Sequence, residues 1–201
     1  MKEVLALMIN SNAKHQSMVI EKAHEFIQKF KTEKENYPTE KHYSISIVEN
    51  KDTIINKIKT LIDGAEKTIF ICQTLQWWMQ VNFELADNIK KALNRDVKYR
   101  AVIEKPASEI VFPKELKKNL THSNYELRMA NNKLKLNGSI YDQKNACLSF
   151  YVAKSPSETP VILTNHPSLL VGSIDHFENV WRDSGKIDLR ELFRETRLAI
   201  H

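Results

Sequence analysis

Apolar and polar positions follow three different rhythms along this chain. At the N-terminus, Leu5, Met8, Asn12, His15, Val19, Ala23, Phe26 and Phe30 are spaced by 3, 4, 3, 4, 4, 3 and 4 residues. That is a heptad seam with one four-residue stutter, and it predicts one long helix over residues 2–33. The seam is narrow and polar in its middle, which suits pairing with a single partner helix; folding back onto its own domain is the alternative. "TEKENYPTEK" then breaks the rhythm with charge and a proline, and reads as a linker. "HYSISIVEN" alternates with period two, as a half-buried strand does. "NKDTIINKIKTLIDGAEKT" returns to a helical period, with Asn50 or Asp52 placed to cap it and Ile54, Ile55, Ile58, Leu61, Ile62 and Ala65 on one face. "TIFICQ" is a continuous apolar run, the third rhythm, typical of a strand covered on both faces. "NFELADNIKKALNRD" predicts the next helix and "VKYRAVIEK" the next strand. This alternation of strands and helices predicts an α/β domain with a helix-covered sheet.

The second half is less regular. A short helix is expected at Pro113–Leu120 and a strand at "YELRMA". "LKLNGSIYD" and "ACLSFYVA" flank a turn at Asp142–Asn145 and read as a hairpin. "PVILTN" is a further strand. "HPSLLVGSIDHFENVWRDS" predicts a final helix with Pro167 in its first turn and Leu170, Ile174, Phe177, Val180 and Trp181 facing inward. The tail from Ile187 allows one more amphipathic helix. The division predicted is a linker and dimerisation helix over 1–36 and a sheet domain over 37–201.

Composition narrows the classes. With 42% hydrophobic and 27% charged residues the chain is not globally disordered, and no apolar run approaches the roughly 20 residues a membrane helix needs. The N-terminus makes a poor signal peptide, and Cys72 and Cys147 sit in apolar contexts as buried free thiols would. Both points lead to an expected cytoplasmic location. The net charge of +5 permits an acidic partner, but the basic residues are scattered among acids and form no nucleic-acid-reading motif. The seven histidines show no metal-ligand spacing, so neither metal nor cofactor is expected.

Candidate chemistry gathers in a few places. "QTLQWWMQVNF" follows a buried strand, where α/β folds place ligand sites. Gln73, Thr74 and Gln76 offer hydrogen bonds, and Trp77 and Trp78 offer flat faces; an aromatic lid or dimer contact is the other use of such a stretch. Two adjacent indoles should not both face one core, so at least one is expected to look outward. Glu104 and Lys105 end the neighbouring strand, and Thr164, Asn165 and His166 end another. These strand ends are expected to converge with Trp77 and Asn137 around a small polar ligand such as a sugar or nucleotide.

"KLNGSIYD" places Lys135, Asn137 and Asp142 at the offsets of the H-x-K-x-x-x-x-D motif of phospholipase D-type enzymes. In that motif a His attacks phosphorus, a Lys holds the phosphate and an Asp supports the site. An ordinary lysine is protonated at neutral pH and is no nucleophile, so hydrolysis is not expected here. Asn137-Gly138 is either a turn before a strand or a pocket that has lost its chemistry. The run from "KDTIINKIKTLIDGAEKTIFI" to "DVKYRAVI" resembles the first half of a phospholipase D-like domain. "VILTNHPSLLVGSIDHFENVWRDS" resembles the end of that domain in TrmB-type archaeal transcriptional regulators, and the N-terminal helix is similar to their linker helix. The resemblance implies a mixed sheet flanked by helices, a homodimer through residues 2–33, and a catalytically inactive effector-sensing role. DNA contact would fall to a winged helix that this sequence does not contain. A stand-alone interaction or ligand-binding module, or a divergent phosphodiesterase-related enzyme, are the rival readings. The expected ligand residues are Gln73, Thr74, Trp77, Trp78, Glu104, Lys135, Asn137 and Asn165.

Overall fold

The computed structural model describes residues 43–105, 112, 114–149 and 159–187, with isolated positions 21, 22 and 25. The predicted pairing helix over 2–33, most of the linker and the tail beyond residue 187 lie outside the described residues, the isolated positions aside.

Local signals set the early elements. β1 (Ile45–Val48) gives way at Asn50, whose side chain accepts from Thr53 N at 3.0 Å and starts α1 (Lys51–Asp63). Gly64 ends α1, and β2 (Thr68–Gln73) follows. The predicted single helix over 82–96 is instead two helices. α2 (Leu75–Glu84) takes in the tryptophan pair and α3 (Ala86–Asn94) the charged remainder, with a non-helical joint at Leu85 (φ −115°, ψ 24°). Leu85 is buried, so the chain turns there to bring both helices onto the sheet. β3 (Lys98–Glu104), α4 (Lys114–Leu120), β4 (Tyr125–Ala130), the hairpin β5 (Gly138–Tyr141) and β6 (Asn145–Ser149), β7 (Val161–Thr164), α5 (Pro167–Arg182) and a short β8 (Gly185–Lys186) complete the order.

The strands form one mixed sheet in the order β1-β7-β6-β5-β2-β3-β4-β8. β2, β3 and β4 are parallel; every other pairing is antiparallel. Both faces of the central strands are covered, which explains the unbroken apolar run of β2. Ile69 and Ile71 enter a core with Ile54, Ile58, Trp77, Trp78 and Ile89, under α1–α4. Phe70 and Cys72 enter a second core with Leu148, Phe177 and Trp181, covered among the described residues by α5. In that second core Phe70 stacks on Phe177 at 4.6 Å, and the Arg128 guanidinium lies 4.0 Å over Trp181. Along α5, Leu170, Phe177 and Trp181 are buried as predicted; Ser173 is buried as well, while Ile174 and Val180 are only partly covered.

Gly138 marks the tightest strand approach. A Cβ there would stand 2.8 Å from Leu148 Cδ2 and 2.9 Å from the Cys147 carbonyl oxygen. Any side chain would push β5 away from β6. Among the described residues no helix is long and apolar enough to cross a membrane.

Candidate functional site

Because β2, β3 and β4 run in parallel, Gln73, Glu104 and Ala130 all finish at one end of the sheet. β5 begins there and β6 ends there. Cys72 pairs with Gly138 and Gly138 with Leu148. One step further out lie Gln73, Asn137 and Ser149, side by side across three strands; Ser149 N donates to the Asn137 carbonyl oxygen at 2.7 Å. Period-two alternation puts Gln73 on the face of Ile69 and Ile71, beneath the helices. Trp77 lies one helical turn further along, at the start of α2.

Buried polar atoms at this corner lack protein partners. Gln73 Oε1, Asn137 Oδ1, Asn137 Nδ2 and Trp77 Nε1 have none. The three residues are 2%, 1% and 1% exposed, respectively. Burying such an atom without a hydrogen bond costs about 1–3 kcal/mol, and most buried polar groups avoid it. The atoms are neutral: one amide oxygen, one full amide and one indole N–H. Together they offer both donors and acceptors to a polar group.

The other predicted residues separate. Thr74 serves as the cap of α2, its Oγ1 accepting from Trp77 N at 3.4 Å. Glu104 does share the site's end of the sheet, but its carboxylate accepts from Leu134 N at 3.2 Å and closes the β4–β5 connection. The expectation that one indole looks outward fails. Trp77 and Trp78 are both buried, because α2 is enclosed by the sheet on one side and by α3 and α4 on the other. Trp78 Nε1 donates to Tyr125 Oη at 3.0 Å, Tyr125 Oη donates to Asn82 Oδ1 at 3.0 Å, and Asn82 Nδ2 donates to the Trp78 carbonyl at 2.9 Å. That closed ring makes Trp78 a core residue. Lys135 is exposed and turned to the α5 face, beside His176. Asn165 is at the opposite end of the sheet, because β7 runs antiparallel to β6; its Oδ1 accepts from Ser44 N at 2.6 Å and ties down β1.

The motif offsets therefore do not form a catalytic cluster. Asp142 is also at the far end, past the close of β5, where its carboxylate accepts from the backbone N–H groups of Glu66, Lys67 and Thr68, each at 2.8 Å. Burial opposes ionisation of Asp142, yet the three backbone donors and Lys144 outweigh it and lower its pKa. Burial, with a smaller push from Glu104, raises the Cys72 thiol to about 12. Burial alone raises the Cys147 thiol to about 12. Neither supplies a thiolate at neutral pH. Both are free and buried, as the sequence suggested. Among the described residues no group of three or more His, Cys, Asp or Glu side chains could hold a metal ion. Ser149 is the row member that the motif reading overlooked; continuing the predicted hairpin register outward from its turn would have found it.

No family model and no curated protein matches the sequence. Solved structures do match in shape. TrmBL2, described as an archaeal chromatin protein with a novel mode of DNA binding, superposes with a TM-score of 0.58 at 15% identity, over 92% of this chain and 69% of its own. NucT from Helicobacter pylori gives 0.60 at 12% identity, over 73% of this chain and 100% of its own. Nuc from Salmonella typhimurium, a phospholipase D family member, gives 0.52 at 15% identity, over 73% and 99%. At these identities the likeness concerns fold: the chain carries a phospholipase D-like mixed sheet flanked by helices, shared with TrmBL2 and with phospholipase D-family proteins.

Proposed function

We propose that this chain is the effector-sensing and dimerisation part of a TrmB-like transcriptional regulator, with a phospholipase D-like domain that binds without hydrolysing. A small polar ligand, a sugar or a nucleotide, occupies the carboxyl end of the sheet. Gln73 and Asn137 hydrogen-bond it, and Trp77 donates from its indole N–H. The observation that carries this reading is the corner of unpartnered buried amide and indole atoms at Gln73, Asn137 and Trp77. The non-hydrolytic part rests on Lys135, Asn137 and Asp142, none of them a histidine, which stand in three separate environments. Dimerisation belongs to residues 2–33, and ligand binding would bias how two paired domains set their linker helices.

The test is a screen of sugars and nucleotides by thermal shift and tryptophan emission. A ligand at 100 times its Kd should add about 2.7 kcal/mol of stability. Gln73→Leu, Asn137→Leu and Trp77→Phe should each weaken such a ligand by about tenfold, the worth of one lost hydrogen bond in a buried site. A ligand indifferent to all three substitutions would place the sensing site elsewhere. Turnover of bis-p-nitrophenyl phosphate, lost on Asn137→Ala, would instead favour a divergent phosphodiesterase.

A further inference from the structure

On the α5 face of the sheet, away from Gln73 and Trp77, two hollows share a wall. One, of about 380 Å³, lies between the β4–β5 connection and α5, with Lys133, Lys135, His176, Asn179 and Asp183 around it. The other, of about 350 Å³, is bounded mainly by Leu136, Leu148, Leu169 and Gly172. Lys135 and His176 line both. Most side chains around the first hollow are polar, and its two lysines against one carboxylate give it an excess of positive charge. Its carboxylate, Asp183, accepts from Asn132 Nδ2 at 3.1 Å, and the backbone carbonyl of the same residue accepts from Asn131 Nδ2. The second hollow is apolar.

Two independent features, one at the shared wall and one in the apolar hollow, point to an occupant. His176 Nε2 is buried with no hydrogen-bond partner. Burial first, and then the Lys135 ammonium, lower the His176 pKa and hold the ring neutral. An anion placed between them would give the buried nitrogen a partner and the ammonium a counter-charge. Gly172 is the second feature. It sits inside α5, where glycine is disfavoured relative to alanine. Its φ is not positive, and a Cβ there would meet nothing within 4 Å. Neither backbone conformation nor crowding calls for glycine. Its missing side chain leaves the apolar hollow open.

We infer that the two hollows together bind one small amphiphilic anion, with its carboxylate or phosphate head between Lys135 and His176 and its apolar arm along Leu136, Leu148 and Leu169 over Gly172. The charged groups facing His176 are Lys133 and Lys135 from the β4–β5 connection and Asp183 from the end of α5; β6 presents Leu148. This site is on the other face of the sheet from the proposed effector corner, so either can fail without the other.

Octanoate and octyl phosphate are the probes, added to the full chain and followed by histidine side-chain NMR and thermal shift. Acetate and inorganic phosphate serve as heads without arms, and octanol as an arm without a head. At least one of the two amphiphiles should raise the His176 pKa and the melting temperature, and which does so identifies the head; the fragments at equal concentration should do neither. Lys135→Gln should weaken binding by about tenfold through the lost charge-assisted contact. Gly172→Leu should abolish it by filling the apolar hollow, while Gly172→Ala keeps binding and folds at least as stably as the native chain. If neither probe moves the His176 resonances, or if binding is unchanged in both Lys135→Gln and Gly172→Leu, the inference is wrong.

Discussion

Single residues here do work that their motif position conceals. Asp142 stands at a catalytic offset, yet it pins the α1–β2 connection by accepting three backbone N–H groups. It also turns the β5–β6 hairpin in the left-handed region, with φ 51°, followed by Gln143 at 55°. Asp142→Asn keeps the turn and one acceptor but removes the charge. At neutral pH it should lower stability in urea by about 1.5–3 kcal/mol, the range for hydrogen bonds to a charged acceptor. The sign with pH follows from the lowered pKa of the folded state. The ionised form stabilises above the unfolded value of 3.8 and is lost as pH falls through the lower folded value. The gap between native and Asp142→Asn should therefore close on acidification; a gap independent of pH would show that the charge is not the cause. The sequence made the turn legible through the spacing of "LKLNGSIYD" and "ACLSFYVA". It did not reveal what Asp142 binds, because those partners are backbone groups some 75 residues away, and backbone leaves no residue-specific signal.

At the scale of elements, α2 is where sequence reading went astray. Its apolar residues Leu75, Trp77, Trp78, Met79 and Val81 lack the one-sided spacing of α1, so the stretch read as a ligand-facing strand end, or as an aromatic lid or dimer contact. It is a helix packed on more than one side, which needs no clean polar face. Its two tryptophans then serve different ends. Trp78 belongs to the ring with Tyr125 and Asn82, and Tyr99 stacks on Tyr125 at 4.5 Å. Trp77 has an indole N–H without a partner. Replacing either with Phe removes the same volume, but only Trp78→Phe also strips a hydrogen bond from Tyr125. Trp78→Phe should be the more destabilising by about 1–3 kcal/mol in chemical denaturation. Equal losses would mean that the ring contributes little. In contrast α1, β2, β3 and α5 were legible, because an amphipathic period, a cap at Asn50 and a proline at the start of α5 each act within a few residues.

For the whole molecule, the alternation of strands and helices was enough to give a helix-covered α/β sheet and the shared end of β2 and β3. It could not give the placement of β1 beside β7, which joins strands over 100 residues apart, nor the antiparallel course of β7 against β6, which puts Asn165 at the other end. Assembly is the remaining question at this scale, and two surfaces compete for it. The narrow seam over 2–33, with Leu5, Val19, Phe26 and Phe30 as its apolar members, suits a paired helix. The rival is α2. Its tryptophans are buried and so unavailable, but Phe83 is 61% exposed on its outer face. A lone exposed aromatic is common on monomers and covers too little area for a stable dimer, whereas a paired helix of some thirty residues buries a continuous seam. Light scattering on the full chain should therefore return the mass of a dimer. Val19→Asp with Phe26→Asp should return a monomer, since two charges on one seam face their own copies across the pair. Phe83→Ser should leave the dimer intact. If the seam variant stays dimeric and Phe83→Ser dissociates, α2 is the contact; the proposed coupling from ligand to linker helices would then have to run through the turn from Gln73 to Trp77, where effector corner and subunit contact would share one helix.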